Sequence, residues 1–218
     1  MTGRTAWIAG ATGLVGAHLV DLLLEDPLFE GVATLGRRPL DRAHPKLSQH
    51  TVDFAALDAA ALPPVTDAFC ALGTTIKKAG SKEAFRAIDH DAVLAFAKAA
   101  KARGATRFYV VTALGADARS WVFYNRVKGE VEAALGAMGF ASLAVARPSL
   151  LTGERAEHRA GERVAQAVTD ALAPIIKHFD ARPIHGRDVA LALRNIAHDP
   201  PGGTRVYLSV ELHARAAK

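Results

Sequence analysis

The sequence predicts an α/β fold, a doubly wound parallel sheet with helices on both faces and a small C-terminal cap. Three observations carry this. Short apolar runs alternate with amphipathic stretches along most of the chain, the pattern of strands feeding crossover helices. The first run, TAWIAG, passes into its helix through regularly spaced glycines. The run from Arg107 to Gly115, RFYVVTALG, is continuously bulky at its centre, as a strand covered on both faces requires.

The elements follow in order. After TAWIAG and GATGLVG comes AHLVDLLLED, closed by Pro27, with Val15, Leu19, Leu22 and Leu23 on one helical face. A second run, Gly31 to Gly36, stops at Arg37 and Arg38, and a weaker third, Ser48 to Asp53, precedes an Ala-rich segment ending at Pro63 and Pro64. The fourth, Asp67 to Gly73, leads through the polar loop TTIKKAGS into one long helix over residues 82–103. Phe85, Ile88, Ala92, Ala95 and Ala99 lie on one side of it, Val93, Phe96 and Ala100 on another. Such a helix buries either a thick sheet-facing stripe or a second face against a partner chain. The fifth run is followed by a helix over residues 123–138 and a sixth strand, Ala141 to Pro148. Too little chain remains beyond Leu150 for an independent substrate domain. Residues 1–218 are therefore read as one domain, with 151–218 forming a substrate-side cap of two helices, 161–172 and 186–197, and a last strand, RVYLSV.

Composition narrows the function. Apolar residues are 50% of the 218 and charged residues 22%, which excludes a disordered chain and a heptad rod. The 27 Lys+Arg against 22 Asp+Glu leave +5, scattered rather than clustered, and no RNP signature, zinc finger or basic helix accompanies them, so no nucleic acid is expected. No apolar run reaches the length of a membrane span, so no integral membrane association is expected, and the glycines of the N-terminal run distinguish it from a secretory signal. One cysteine cannot form an intrachain disulfide, and a reducing, cytoplasmic setting is expected. No His, Cys and carboxylate cluster has metal-ligand spacing.

Gly10, Gly13 and Gly16 spell G-x-x-G-x-x-G between strand and helix. A pyrophosphate at a helix N-terminus needs a tight turn, close backbone approach and close helix–strand packing, and glycine serves all three. A glycine triplet alone also fits a structural turn; its place at the first strand-to-helix junction favours a dinucleotide in a Rossmann-like fold. The candidate contacts are Gly10, Thr12, Gly13, Leu14, Val15 and Gly16. Where a site for NAD commonly places an acidic residue, this chain has Arg37 and Arg38, which suit the 2′-phosphate of NADP. NADP(H) is thus preferred over NAD(H), a solvated basic turn being the alternative. Asp53 and Phe54 could meet the adenine edge, and Leu72, Gly73 and Thr74 the cofactor ribose and diphosphate.

Tyr124 and Lys128, in FYNRVKGE, stand one helical turn apart and share a face. A tyrosine at its ordinary pKa is a poor acid–base group at neutral pH, and a neighbouring ammonium lowers that value. Upstream, Thr112 ends the fifth strand at the carboxyl edge of the sheet, where ligands of doubly wound folds bind.

The ordered set GATGLVG, RR, D-F, ALGTT, VVTALGA, FYNRVKGE and ARPSLLTGER resembles the short-chain dehydrogenase/reductase superfamily. More narrowly, it is similar to the atypical, Tat-interacting-protein-like branch. The resemblance implies that Tyr124 is the general acid or base, that Lys128 binds the nicotinamide ribose and tunes the tyrosine, and that Thr112 orients a substrate carbonyl. Thr112 stands where serine is more usual, Ala113 is next to it, and no Asn of the family's proton relay is assigned. The resemblance also implies that the loop from Arg147 to Thr152 covers the nicotinamide, with Pro148 and Leu150 against the ring, although a plain strand-to-loop transition explains them too. A homodimer through the two long helices is a family habit.

Cys70 reads as a small core residue, His90 as a surface or interface residue, and His178 and His185 as candidates for the substrate pocket. The function expected is an NADP(H)-dependent oxidoreductase acting on a small carbonyl or alcohol. The alternative is an NADP(H)-binding regulatory or scaffold protein with little or no turnover, and epimerase chemistry is a third reading.

Overall fold

The computed structural model describes residues 3–153 and 182–218. Seven strands form one sheet: β1 (Arg4–Ala9), β2 (Phe29–Gly36), β3 (Leu47–Thr51), β4 (Asp67–Cys70), β5 (Arg107–Val111), β6 (Ser142–Arg147) and β9 (Gly203–Leu208). A separate parallel pair joins β7 (Leu151–Thr152) to β8 (Ile184–His185). In the main sheet the order is β3-β2-β1-β4-β5-β6-β9 with every pair parallel. The chain reverses direction across the sheet between β1 and β4, and the carboxyl ends of those strands border the crevice where this topology binds ligands.

Alternation along the strands feeds two apolar layers. On one face Ile8, Phe69, Tyr109, Val111 and Ala144 pack with Leu19, Leu23, Val189 and Leu193 from α1 (Gly16–Glu25) and α6 (Gly186–His198). On the other Trp7, Cys70, Phe108, Val110 and Val145 meet Phe96 and Ala100 of α4 (Ala92–Ala102) and Val131 and Leu135 of α5 (Phe123–Ala137). Phe108 through Val111 are all buried, as the bulky fifth run predicted.

Two expectations change. The long helix over 82–103 is broken: after α2 (Ile76–Ala79) come α3 (Lys82–Arg86), a single π-helical turn at Ala87–Asp91, and then α4. Hydrophobic spacing cannot report the extra residue of a π turn, which shifts the face by part of a turn without ending the helix. The second correction concerns the cap. The run RVYLSV supplies β9, the seventh strand of the main sheet, and α6 packs on the same face as α1. These elements belong to the main sheet and to the apolar layer on one of its faces. The last helix, α7 (Ser209–Ala216), buries Leu212 in that layer. The helix expected at 161–172, and His178, lie outside the described residues.

Candidate active site

The glycine turn has the geometry expected of it. Gly10 adopts φ +85°, and a β-carbon there would strike the Ala71 carbonyl at the end of β4. At Gly16 a β-carbon would collide with the Gly10 carbonyl, so the N-terminus of α1 rests directly on the turn. The Gly13 amide closes that turn on Gly10 O at 2.9 Å. Val15 is the N-cap, no side chain caps α1, and its first turn carries no acidic residue. A helix terminus left this way presents its amides and positive dipole end to an anion. Thr12 and Gly13 are exposed and Leu14 is half-buried, whereas Val15 is buried in the core.

Arg37 and Arg38 follow β2 and are both exposed, and neither forms an ion pair among the described residues. Gln49 of β3 orders the loop beyond them, accepting from the Leu40 amide at 2.6 Å and donating to Arg42 O at 2.9 Å. Asp53 is exposed, and one carboxylate oxygen caps the short turn Phe54–Ala56 through the Ala55 amide at 2.9 Å. Phe54 turns inward, edge-on to Phe96 at 6.4 Å. It packs on the core, and Asp53 alone of the two faces outward.

Tyr124 and Lys128 occupy one face of α5 as the spacing requires. The Tyr124 ring rests against Phe85 of α3, centroids 5.4 Å apart. Lys128 is buried, and its Nζ lies 2.7 Å from Oδ1 of Asp89, which is fully buried in the π turn. Oδ2 of the same carboxylate accepts from the Thr74 amide at 2.8 Å. A β-carbon on Gly73 would stand 3.8 Å from Lys128 Nζ. The strip Gly10, Ala71, Gly73, Lys128 thus runs continuously along the crevice, with Leu72 half-buried beside it.

Burial pushes the Tyr124 phenol up; Lys128 pulls it down and Asp89 raises it again, leaving it above the ordinary value. For Lys128 burial opposes the charge, but the Asp89 carboxylate outweighs it and the ammonium is held above its usual range. Burial raises Asp89 against the pull of Lys128 and the Thr74 amide. Cys70, in β4, is buried and its thiol is pushed up to about 12 by desolvation, so it is an inert core residue.

Thr112 is buried directly after β5. Its hydroxyl donates to Glu132 Oε1 at 2.6 Å. Glu132 is also gripped by Arg147, whose Nε lies 3.0 and 3.1 Å from the two carboxylate oxygens. The hydroxyl has one proton, and the Glu132 carboxylate takes it. Pro148 is buried and its carbonyl accepts from the Leu114 amide at 2.9 Å. Leu150 is half-buried and its carbonyl accepts from Ile184 at 3.0 Å. His185 caps α6, is exposed, and its ring centroid lies 6.1 Å from that of His18 beside the glycine turn. His90 is half-buried with Nδ1 2.7 Å from Asp91 Oδ1.

Sequence reasoning missed Asp89, Glu132, Arg147 and Gln49. For Asp89 a signal existed: it lies one turn after Phe85 and one before Val93, a carboxylate on an apolar stripe.

A protein-family model described as NAD(P)H-binding matches residues 10–200. The chain belongs to that NAD(P)H-binding family. Within it, the chain lies in the Tat-interacting-protein-like branch of the atypical short-chain dehydrogenases/reductases. It is 40% identical over 177 residues to Protein HTATIP2 of Rattus norvegicus, covering 79% of this chain and 73% of the rat protein. Against the mitochondrial FMP52 of Debaryomyces hansenii it is 33% identical over 203 residues, 90% of this chain and 88% of that protein. Among solved structures, MoeE5 in complex with UDP-glucuronic acid and NAD superposes with a TM-score of 0.73 at 18% identity, covering 94% of this NAD(P)H-binding chain and 75% of MoeE5. Uronate dehydrogenase from Agrobacterium tumefaciens gives 0.66 at 17% identity, 96% of this chain and 77% of that one. At these identities the structures establish the shared Rossmann-like fold.

These relatives correct the cytoplasmic expectation, because several are named mitochondrial. A single unpaired cysteine marks a reducing compartment and does not choose among reducing compartments. No helix among the described residues is long and apolar enough to cross a membrane, and no group of His, Cys, Asp and Glu among the described residues is arranged to hold a metal.

Proposed function

We propose that this protein is an NADP(H)-dependent oxidoreductase that reduces a small carbonyl compound or oxidises the corresponding alcohol. The observation that carries the reading is the buried Lys128–Asp89 pair with half-buried Tyr124 on the same face of α5, beside the strip that leads from the glycine turn. The glycines fit a diphosphate, since two of the three positions have no room for a side chain and the α1 terminus lacks a capping group. Arg37 and Arg38 would hold the ribose 2′-phosphate. Asp53 keeps one carboxylate oxygen for the adenine edge. The nicotinamide, when bound, supplies or accepts the hydride.

The chain supplies the rest. Lys128, fixed beside Gly73, would meet the nicotinamide ribose, and Tyr124 Oη would pass a proton to the carbonyl oxygen as the carbon gains hydride. The Phe85 ring packs against the Tyr124 ring. Pro148 and Leu150 border the crevice on the β6 side. Placement within about 3–3.5 Å of the reacting atoms matters more here than any single pKa.

A second reading, NADP(H) binding without turnover in a regulatory or scaffold role, is favoured by one observation: the Thr112 hydroxyl is committed to Glu132. The two separate in one experiment. Calorimetry with NADPH and NADH is run beside an NADPH-oxidation screen against aldehydes, ketones and quinones, on the native protein and Tyr124→Phe. Turnover that falls by at least about a hundredfold in the variant, with NADPH binding unchanged, supports the enzyme. Tight binding without oxidation of any carbonyl supports the scaffold, and no heat with either coenzyme overturns both.

A further inference from the structure

We propose that Asp89 is a positioning residue that pins Lys128 and cancels its charge, so that Tyr124 stays a proton donor and the site is set for carbonyl reduction. The assignment of direction rests on the oxidoreductase reading above; the charge relationship does not.

The geometry is specific. Asp89 is fully buried, yet both its oxygens face donors, Oδ1 the Lys128 ammonium at 2.7 Å and Oδ2 the Thr74 amide at 2.8 Å. Oδ1 has no further hydrogen-bond partner among the described residues. One carboxylate therefore ties together the π turn, the loop after β4 and the helix carrying Tyr124. A buried ionised carboxylate is tolerated only with such partners. It is the π turn that brings it there, since such turns re-aim a single side chain without ending the helix.

The electrostatic consequence follows from counting charges near the phenol. A lone ammonium one turn away would favour the phenolate. Here the ammonium is matched by a carboxylate at contact distance, so the half-buried tyrosine faces a nearly neutral pair. Of the charges around it, Lys128 and Asp89 are the ones that act on the phenol. Phe85 covers the ring from α3, and the Cys70 thiol below Lys128 stays neutral. Arg86 is paired with Glu130. Lys82 and Arg126 stand over the Phe123 ring, at 5.4 and 5.6 Å from its centroid.

In the reducing step hydride adds to the carbonyl carbon, the C=O π pair moves to oxygen, and that oxygen takes the proton from Tyr124 Oη. The products are alcohol, oxidised cofactor and tyrosinate, which regains its proton from solvent. Alcohol oxidation needs the tyrosinate at the start, a form this arrangement keeps scarce at neutral pH.

The test reads phenolate absorbance, which needs neither substrate nor turnover. The native protein and Tyr124→Phe are titrated in parallel, so that their difference isolates Tyr124 from the other tyrosines. At about pH 9, a unit below the ordinary phenol value, the difference should show no phenolate; a tyrosinate already present there overturns the proposal. In Asp89→Asn, which keeps the shape and removes the charge, the Tyr124 titration should move down by about one unit or more, roughly tenfold more phenolate at a given pH. An unmoved or upward titration in a folded variant overturns it. If Asp89→Asn does not fold, the native titration decides alone. Absence of NADPH oxidation beside the expected titrations would remove the oxidoreductase reading and leave the role of Asp89 intact. Turnover beside a phenolate at about pH 9 would do the reverse.

Discussion

The Thr112 hydroxyl donates to Glu132, and Glu132 is held from its other side by Arg147, so the ends of β5 and β6 are locked to the middle of α5 through one carboxylate. Glu132 is largely buried, with 10% of its side chain exposed. Replacing Thr112 by Val keeps the volume and removes the donor. The expected result is a loss of about 1–3 kcal/mol of stability, read as a lower melting temperature. Turnover per folded molecule should stay within about tenfold. A donor to the reacting oxygen would instead cost about a hundred- to a thousandfold, and a loss of that size with unchanged stability would return Thr112 to the reacting centre.

Arg37 and Arg38 make no ion pairs among the described residues, so replacing both with Ser should disturb little besides the coenzyme. Affinity for NADPH should weaken by about tenfold or more while NADH binding changes little. Calorimetry with both coenzymes checks this, and equal losses for the two would show that the guanidiniums do not contact the 2′-phosphate.

Gly16 has no room for a β-carbon against the Gly10 carbonyl. Gly16→Ala should therefore push α1 off the turn, lowering stability by about 1–3 kcal/mol and weakening both coenzymes together. Thermal unfolding with and without NADPH measures the two effects, and a variant of native stability that binds normally would mean the turn is looser than this contact requires.

Asp26, at the opposite end of α1, is 5% exposed. Burial works against its charge, but His198 Nε2 at 2.7 Å, the Leu28 amide at 2.9 Å and Arg194 at 3.7 Å outweigh it and hold its carboxyl below the usual carboxylate value. A carboxyl depressed in the folded state stabilises the fold above its unfolded pKa of about 4, and that contribution drains away as pH falls through the folded value. Asp26→Asn should thus be less stable than the native protein at neutral pH, with the gap closing below about pH 4. Denaturant unfolding at several pH values reads the difference, and a gap independent of pH would show that the charge contributes nothing.

How much of this was legible in the sequence depended on whether the signal was local. The glycine turn and the Tyr124–Lys128 pair were readable because each lies within one turn of chain, where spacing fixes geometry. Arg37 and Arg38 were readable as the end of β2 for the same reason. The partner of Thr112 was not, because Glu132 reaches it only after a strand and a helix have packed. The break at Ala87–Asp91 was hidden, since apolar residues on either side continue a helical rhythm across it. The run RVYLSV looked like part of a cap because nothing in its own residues says that β6 has a free edge waiting for it.

Gly186 sits against the Leu14 backbone, where a β-carbon would lie 2.6 Å from the carbonyl oxygen. Residues at the start of the chain are thus braced by a segment synthesised long after them. A fragment lacking 186–198 has the glycine motif but not this backing. A coenzyme bound at that turn would therefore stabilise the completed fold, in which the brace is present.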